Sequence, residues 1–180
     1  MRKLLFTLTM LIFSQFCFGQ AVSDNAVIPV SVTLNSILRL TVTSGGNIQF
    51  IVNTIDQYTT GIANGPQYTT TFSVASSRDF DVTMGAEDLT FIGIETGSTA
   101  LALSNLRYTM AGVGAGAIAG LQPLIDLTAP ETIVSTVAGP SATNTYEIQW
   151  ELGTVPPTLL SQSLDADIYV TNVFLNVAPQ

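Results

Sequence analysis

No histidine occurs anywhere in this sequence, cysteine and lysine occur once each, and charged residues make up 10% of the 180 positions. Ordinary soluble domains carry roughly 25%. Each shortage removes a class of chemistry. Cys17 has no second cysteine with which to close a disulfide. Zinc sites built on His or Cys and Ser-His-Asp or Cys-His nucleophiles have no members to draw on. Lys3 is the only residue able to form a Schiff base or a Lys-Asn staple. Five basic residues stand against thirteen acidic ones, a formal charge of −8. Such a balance offers no electrostatic footprint for nucleic acid or anionic lipid.

Low charge, 47% apolar residues and a mean hydropathy of +0.43 would also suit a membrane protein. The distribution argues otherwise. The only long apolar run free of acidic residues is N-terminal, where residues 1–19 have the three parts of a secretory signal peptide: Arg2 and Lys3, the apolar stretch Leu4 to Phe18, and a small-x-small site at Cys17-Phe18-Gly19. Cleavage there leaves a chain beginning at Gln20; a cut after Ala21 fits nearly as well. Lipid anchoring is disfavoured because Phe16, not a small residue, precedes Cys17. The leader takes Lys3 and Cys17 with it. The remaining 161 residues hold three arginines and thirteen acids, a charge of −10, with no membrane span expected. Their stability has to come from a core, for which this length suffices.

After the leader the apolar residues recur with period two, the mark of half-buried strands. Phe72 and Val74 alternate with Thr71 and Ser73; Phe80, Val82 and Met84 with Asp81 and Thr83; Leu106, Tyr108 and Met110 with Arg107 and Thr109; Tyr146, Ile148, Trp150 and Leu152 with Glu147, Gln149 and Glu151. Turn signals separate them at Ser44-Gly45-Gly46-Asn47, Asn64-Gly65-Pro66, Ser76-Ser77-Arg78-Asp79 and Pro156-Pro157. No window of a dozen residues holds a helical period. The pattern predicts an all-β, antiparallel Ig-like β-sandwich over residues 36–180 with Trp150 in its core. Gln57-Tyr58-Thr59-Thr60 recurs as Gln67-Tyr68-Thr69-Thr70, which reads as two similar short strands. The run Ala111 to Gly120 reads as a glycine-rich loop or bent edge strand. Its Gly112-Val113-Gly114-Ala115-Gly116 is not a nucleotide loop, because the third glycine of that fingerprint and the following helix are missing.

Residues 20–35 form an extended segment that runs into the sandwich. Ala26, Ile28, Val30, Val32 and Leu34 share one parity, and Leu38, Leu40 and Val42 continue it. As a single strand the 17 residues from Ala26 would span about 56 Å, against the usual 17–20 Å or so. Two arrangements remain open. Either the segment makes an ordinary first strand or hairpin with a break near Asn35-Ser36, or its first half is donated to another subunit, alternate apolar side chains filling a groove while main-chain bonds extend the sheet. Pro29 suits a terminal or edge position.

Several stretches carry a family likeness. Val30 to Leu34 followed by Leu40-Thr41-Val42-Thr43-Ser44-Gly45-Gly46 and Ile48-Gln49-Phe50, the pair Thr71 to Val74 and Phe80 to Gly85, and Asp165 to Leu175 together resemble the opening strand, central hairpin and last strand of pilin-like chaperone–usher subunits. The spore-coat-protein-U-like branch and WxL-like surface domains are similar. The chain departs from the pattern at Ile51 and at Ala166-Asp167, where those families have glycine, and in having no disulfide. The Phe18-Gly19-Gln20 ending resembles Bacteroidota leaders. The resemblance implies a secreted structural subunit of a fimbria-like filament on a Gram-negative surface, handled by a periplasmic chaperone and an outer-membrane usher, with like subunits as partners. The alternative is a monomeric adhesion module for a glycan or an envelope protein.

Carboxylates are the acid–base groups left besides tyrosine. Asp79 and Asp81, and Asp165 with Asp167, are weak calcium candidates, since loop oxygens suit that ion. No catalytic residue and no cofactor is expected, and the chain does not read as an enzyme.

Overall fold

Alternation of apolar and polar residues places one face of each strand in a common interior, and the computed structural model, which describes residues 29–112, 114–136 and 144–180, is built on that rule. Among these residues the strands are β1 (Leu38–Ser44), β2 (Thr69–Ser76), β3 (Phe80–Ala86), β4 (Ile92–Gly93), β5 (Leu106–Gly112), β6 (Leu121–Pro123), β7 (Glu131–Thr136), β8 (Thr145–Leu152), β9 (Tyr169–Val170) and β10 (Val173–Pro179). Every ladder is antiparallel. One sheet runs β1-β2-β8-β5-β6, the second β10-β3-β7, and β4 with β9 makes a separate two-stranded ribbon. The order β1-β2-β8-β5 follows the A-B-E-D sheet of immunoglobulin sandwiches, and β3 with β10 follows their C-F pair. The chain divides into two units, Met1–Leu34 and Asn35–Gln180; the sandwich belongs to the second.

Inner faces meet as the periodicity requires. Phe72, Val74, Tyr146, Ile148, Tyr108 and Met110 come from the larger sheet, Phe80, Val82, Met84, Ile133 and Val134 from the smaller, all buried. Full burial of a side chain of this size contributes roughly 1.5–3 kcal/mol. On β7 two consecutive residues, Ile133 and Val134, are both buried. A register shift opposite Val82 and Thr83 makes this possible, since a bulge turns one extra side chain inward. Trp150 is buried as expected, and its indole N–H donates to Thr70 Oγ1 at 2.9 Å. That hydroxyl donates to the Gly45 carbonyl at 2.7 Å. Gly45 has φ 66°, and a Cβ there would lie 2.0 Å from the Thr69 carbonyl oxygen, so only glycine serves at this turn.

One polar bond crosses the interior. The Tyr108 hydroxyl on β5 donates to Glu131 Oε2 on β7 at 2.5 Å. Burial, and then the Glu131 carboxylate as acceptor and as charge, push the phenol well above its usual range, so it stays a donor at any physiological pH.

Two local readings change. Gln57 to Thr60 is not a strand: Ile55–Thr60 forms a short helix, α1. The Thr54 side chain accepts from the Gln57 N–H while Gln57 Oε1 accepts from the Thr54 N–H, a reciprocal capping box that outweighs the β propensity of the Tyr-Thr-Thr run. Its repeat, Gln67 and Tyr68, lies in a 3-10 turn (Pro66–Tyr68) that leads into β2. The second difference is at the end of the chain. The stretch from Asp165 to Leu175 is not one strand, because β9 pairs with β4 and β10 with β3. The glycine-rich run does read correctly as a connection: Gly112 closes β5 and Leu121 opens β6.

The interior ranks the expected damage from substitution. Phe72→Ala removes a fully buried ring and should cost about 3–5 kcal/mol. Tyr108→Phe leaves Glu131 without its donor and should cost about 1–3 kcal/mol. Denaturant unfolding of the two variants beside wild type measures both, and a Tyr108→Phe protein as stable as wild type would contradict the role given to the cross-sheet bond.

Candidate subunit interface

Sheet edges decide what this sandwich can bind, because an unpaired strand edge is a row of free backbone donors and acceptors. The outer edge of β7 is met by its own chain: Ser135 N–H donates to the Gly116 carbonyl and Ile118 N–H to the Ile133 carbonyl, both at 2.9 Å. The edge strand β6 is three residues long and ends in Pro123, which blunts it. Among the described residues the remaining edges of the two larger sheets are β1 and β10. They come next to each other across the open flank, yet β1 pairs only with β2 and β10 only with β3.

Burial follows from that opening. Phe72 and Val74 on β2 are wholly buried, whereas Leu38 and Leu40 on β1 and Val173, Leu175 and Val177 on β10 are half-buried and pack against the core from one side. The two edges differ. Strand β1 carries Arg39 and a register shift between Val42 and Ser44. Strand β10 pairs in unbroken register from Val173 to Pro179, has no charged side chain, and carries its proline only at the last residue. Of the two, β10 has fewer of the features that keep edges from pairing.

The segment singled out for its alternation has no strand or helix over residues 29–37. Val30, Val32 and Leu34 are 83%, 77% and 90% exposed. Ala26 and Ile28 lie outside the described residues. Among the described residues strand structure begins at Leu38.

The four calcium candidates are split between the two ends of the sandwich. Asp79 and Asp81 flank Phe80 at the β2–β3 turn. Asp165 and Asp167 precede β9, which lies at the Ala86 end of β3, because Val173 pairs with Ala86 and Glu87 N–H donates to the Asn172 carbonyl. Gln180 Nε2 donates to Asp81 Oδ1 at 2.6 Å, and the side chains of Ser135 and Gln180 hold this carboxyl below its usual range. Asp167 is the most heavily used. It accepts from Thr96 Oγ1 at 2.5 Å, Thr96 N–H at 2.9 Å, Glu95 N–H at 3.0 Å and Ile168 N–H at 2.6 Å. The Thr96 hydroxyl, then these backbone donors, pull its pKa down to about 2. A Cβ at Gly93 would fall 2.3 Å from Asp167 Oδ2, so glycine makes room for the carboxylate. Asp167 thereby ties the loop after β4 to the start of β9. Among the described residues no group of three or more Asp, Glu, His or Cys is placed to hold a metal ion.

A shallow cleft of about 380 Å³ lies over the outer face of the larger sheet, lined by Asn64, Gly65, Pro66, Thr69, Glu147 and Gln149. Asn64 Nδ2 donates to Gln149 Oε1 across it at 3.3 Å. Sequence reasoning did not single out this group, whose members come from a loop, from the first residue of β2 and from alternate outward positions of β8. The Asp167 clamp was equally hidden, since its partners are about 70 positions away in the chain. No known protein-family model matches this chain, and no curated protein is significantly similar to it.

The clamp has a defined pH dependence. A carboxyl whose folded pKa is depressed contributes stability that is complete above its unfolded value, about 3.9, and that is lost as pH falls through the folded value. The Glu95 and Thr96 amides should stay protected from exchange at pH 4 and lose protection as pH approaches 2, while Asp167→Asn should expose them already at pH 7. Amide hydrogen exchange followed by NMR reads this directly; pH-independent protection would refute the clamp.

Proposed function

We propose that this protein is a secreted structural subunit of a bacterial surface filament, in which the Ala26–Leu34 segment of one copy completes the sandwich of the next along β10. The observation that carries the reading is a pair of unmet surfaces in one chain: an alternating apolar segment with exposed Val30, Val32 and Leu34, and an uncharged, bulge-free edge strand flanked by half-buried Leu38, Leu40, Leu175 and Val177. Nine residues extend over about 30 Å, and the seven of β10 over about 23 Å, so the lengths match. In immunoglobulin sandwiches a strand G lies beside F; among the described residues β10, in the F position, has no partner on that side. Strand addition is head-to-tail and does not close, which makes a filament rather than a dimer.

Signal-directed export, a periplasmic chaperone to cover the open edge before assembly, and an outer-membrane usher complete the reading by resemblance to pilin-like subunits. The work of such a protein is shape and contact, in keeping with a sequence poor in catalytic side chains. A monomeric binding module is the second reading, favoured by the polar cleft of Asn64, Thr69, Glu147 and Gln149, although no aromatic side chain lines it for a sugar to stack on.

Replacing Val32 and Leu34 together by Asp tests the plug. The variant should fold with wild-type stability, within about 0.5 kcal/mol as for exposed sites, yet form no filaments by electron microscopy. Filaments of normal length from this variant would overturn strand donation, and a wild-type protein that stays monomeric at millimolar concentration would favour the binding module.

A further inference from the structure

The β4–β9 ribbon carries an apolar face that the strand-donation reading leaves unused. Ile92 pairs with Val170, and Ile94 N–H donates to the Ile168 carbonyl at 2.9 Å. Residues two apart on a strand share a face, so Ile92, Ile94, Ile168 and Val170 stand together on one side. All four are exposed, Ile94 and Ile168 by 61% and 62%. The other side is turned inward, with Gly93 buried and Tyr169 half-buried against the core. Asp167 and its donors hold the ribbon's tip in shape. A rigid apolar face meets a partner with little ordering cost.

Charge selects the partner. Glu87, Asp88, Glu95, Asp165 and Asp167 all belong to the ribbon or the turns beside it. Two copies meeting ribbon to ribbon would bring these carboxylates together. The other end of the sandwich differs. Arg78 lies in the β2–β3 turn, and Arg39, opposite Ala75, is beside it; both are exposed. They are two of the three arginines beyond residue 19. Exposed Ile37 adds an apolar contact there, its backbone tied to Ser77 at 2.9 Å. Asp79 and Asp81 share this end, Asp81 held ionised by Ser135 and Gln180, so these acids offset the two arginines and leave this end near neutral against the uncompensated carboxylates of the ribbon end.

We infer that the β4–β9 ribbon of one copy docks on the β2–β3 turn end of a second copy, apolar face against Ile37 and carboxylates against Arg39 and Arg78. The contact is heterologous and propagates, as strand donation does. It rests on the subunit reading only for its place in a filament; the surfaces themselves need no donated strand. It also sets a direction. With the turn end of one copy on the ribbon end of the next, the chain entering β1 meets the neighbour's β10 at Val173, and a segment laid along β10 from there runs antiparallel to it.

Cross-linking tests the contact in full-length chains carrying Cys17→Ser, so that every thiol is engineered. Ile94→Cys and Arg78→Cys chains are mixed and oxidised, and each is also oxidised alone. The mixed disulfide should exceed either homodimer at least fivefold at low salt and fall several-fold at 0.5 M NaCl, where exposed charges are screened. Homodimer yields equal to or above the mixed species would overturn the proposal. The same pair is repeated in chains carrying Val32→Asp and Leu34→Asp. A mixed disulfide that persists there while filaments are lost supports the contact independently of the plug. Filaments in the parent chains without the mixed disulfide would remove this contact and leave strand donation standing.

Discussion

The sandwich depends on interdigitation of two apolar faces with almost nothing else to hold them. With a single cysteine in the chain no internal disulfide is available, and a polar bond from Tyr108 to Glu131 links the facing sheets through the interior. Phe72, Tyr146, Tyr108 and Trp150 supply most of the large side chains on one side, with Phe72 stacked on Tyr146 at 5.3 Å and Tyr108 tilted against Trp150 at 5.8 Å. Phe80, Val82, Met84, Ile133 and Val134 answer from the other. Where both sheets cover a residue, burial is complete; where they end, at β1 and β10, it is half. The proposed interface is thus the same hydrophobic demand left unmet at one flank.

That demand also explains how a chain with so few charges spends its apolar residues on a core between sheets. Apolar residues that would signal a membrane protein if contiguous are instead distributed at every second position, and in β2, β7 and β8 at least half of the residues are Thr, Ser, Gln or acid. Two groups stand out among the exposed exceptions. Val30, Val32 and Leu34 fall on one segment, and Ile92, Ile94, Ile168 and Val170 on one ribbon face. Isolated exposed aliphatic residues need no account, but grouped ones mark contact surfaces. The proposed self-assembly would give both groups an occupant of the right chemistry, one by strand addition and one by end-to-end docking.

Strand identity was legible from residue order because period two is a local property: Phe72-Val74, Phe80-Val82-Met84 and Tyr146-Ile148-Trp150 could be assigned to the interior before any partner was known. The capping box at Thr54 and Gln57 was legible in principle, being a three-residue spacing, but the strand-like Tyr-Thr-Thr run obscured it. The alternation of Ala26 to Leu34 was equally plain, yet alternation does not say which sheet receives it.

Local order of the residues determined the all-β class, the inward side chains, the shortage of catalytic groups and the overlong alternating segment before β1. Tertiary structure alone decided which edges stay open, that Asp167 closes on Thr96 from across the chain, and that Arg39 and Arg78 lie at the end of the sandwich opposite the acidic ribbon. Those properties depend on which strands become neighbours. Neighbours are chosen by loop closure and packing summed over the whole chain, which no window of sequence contains.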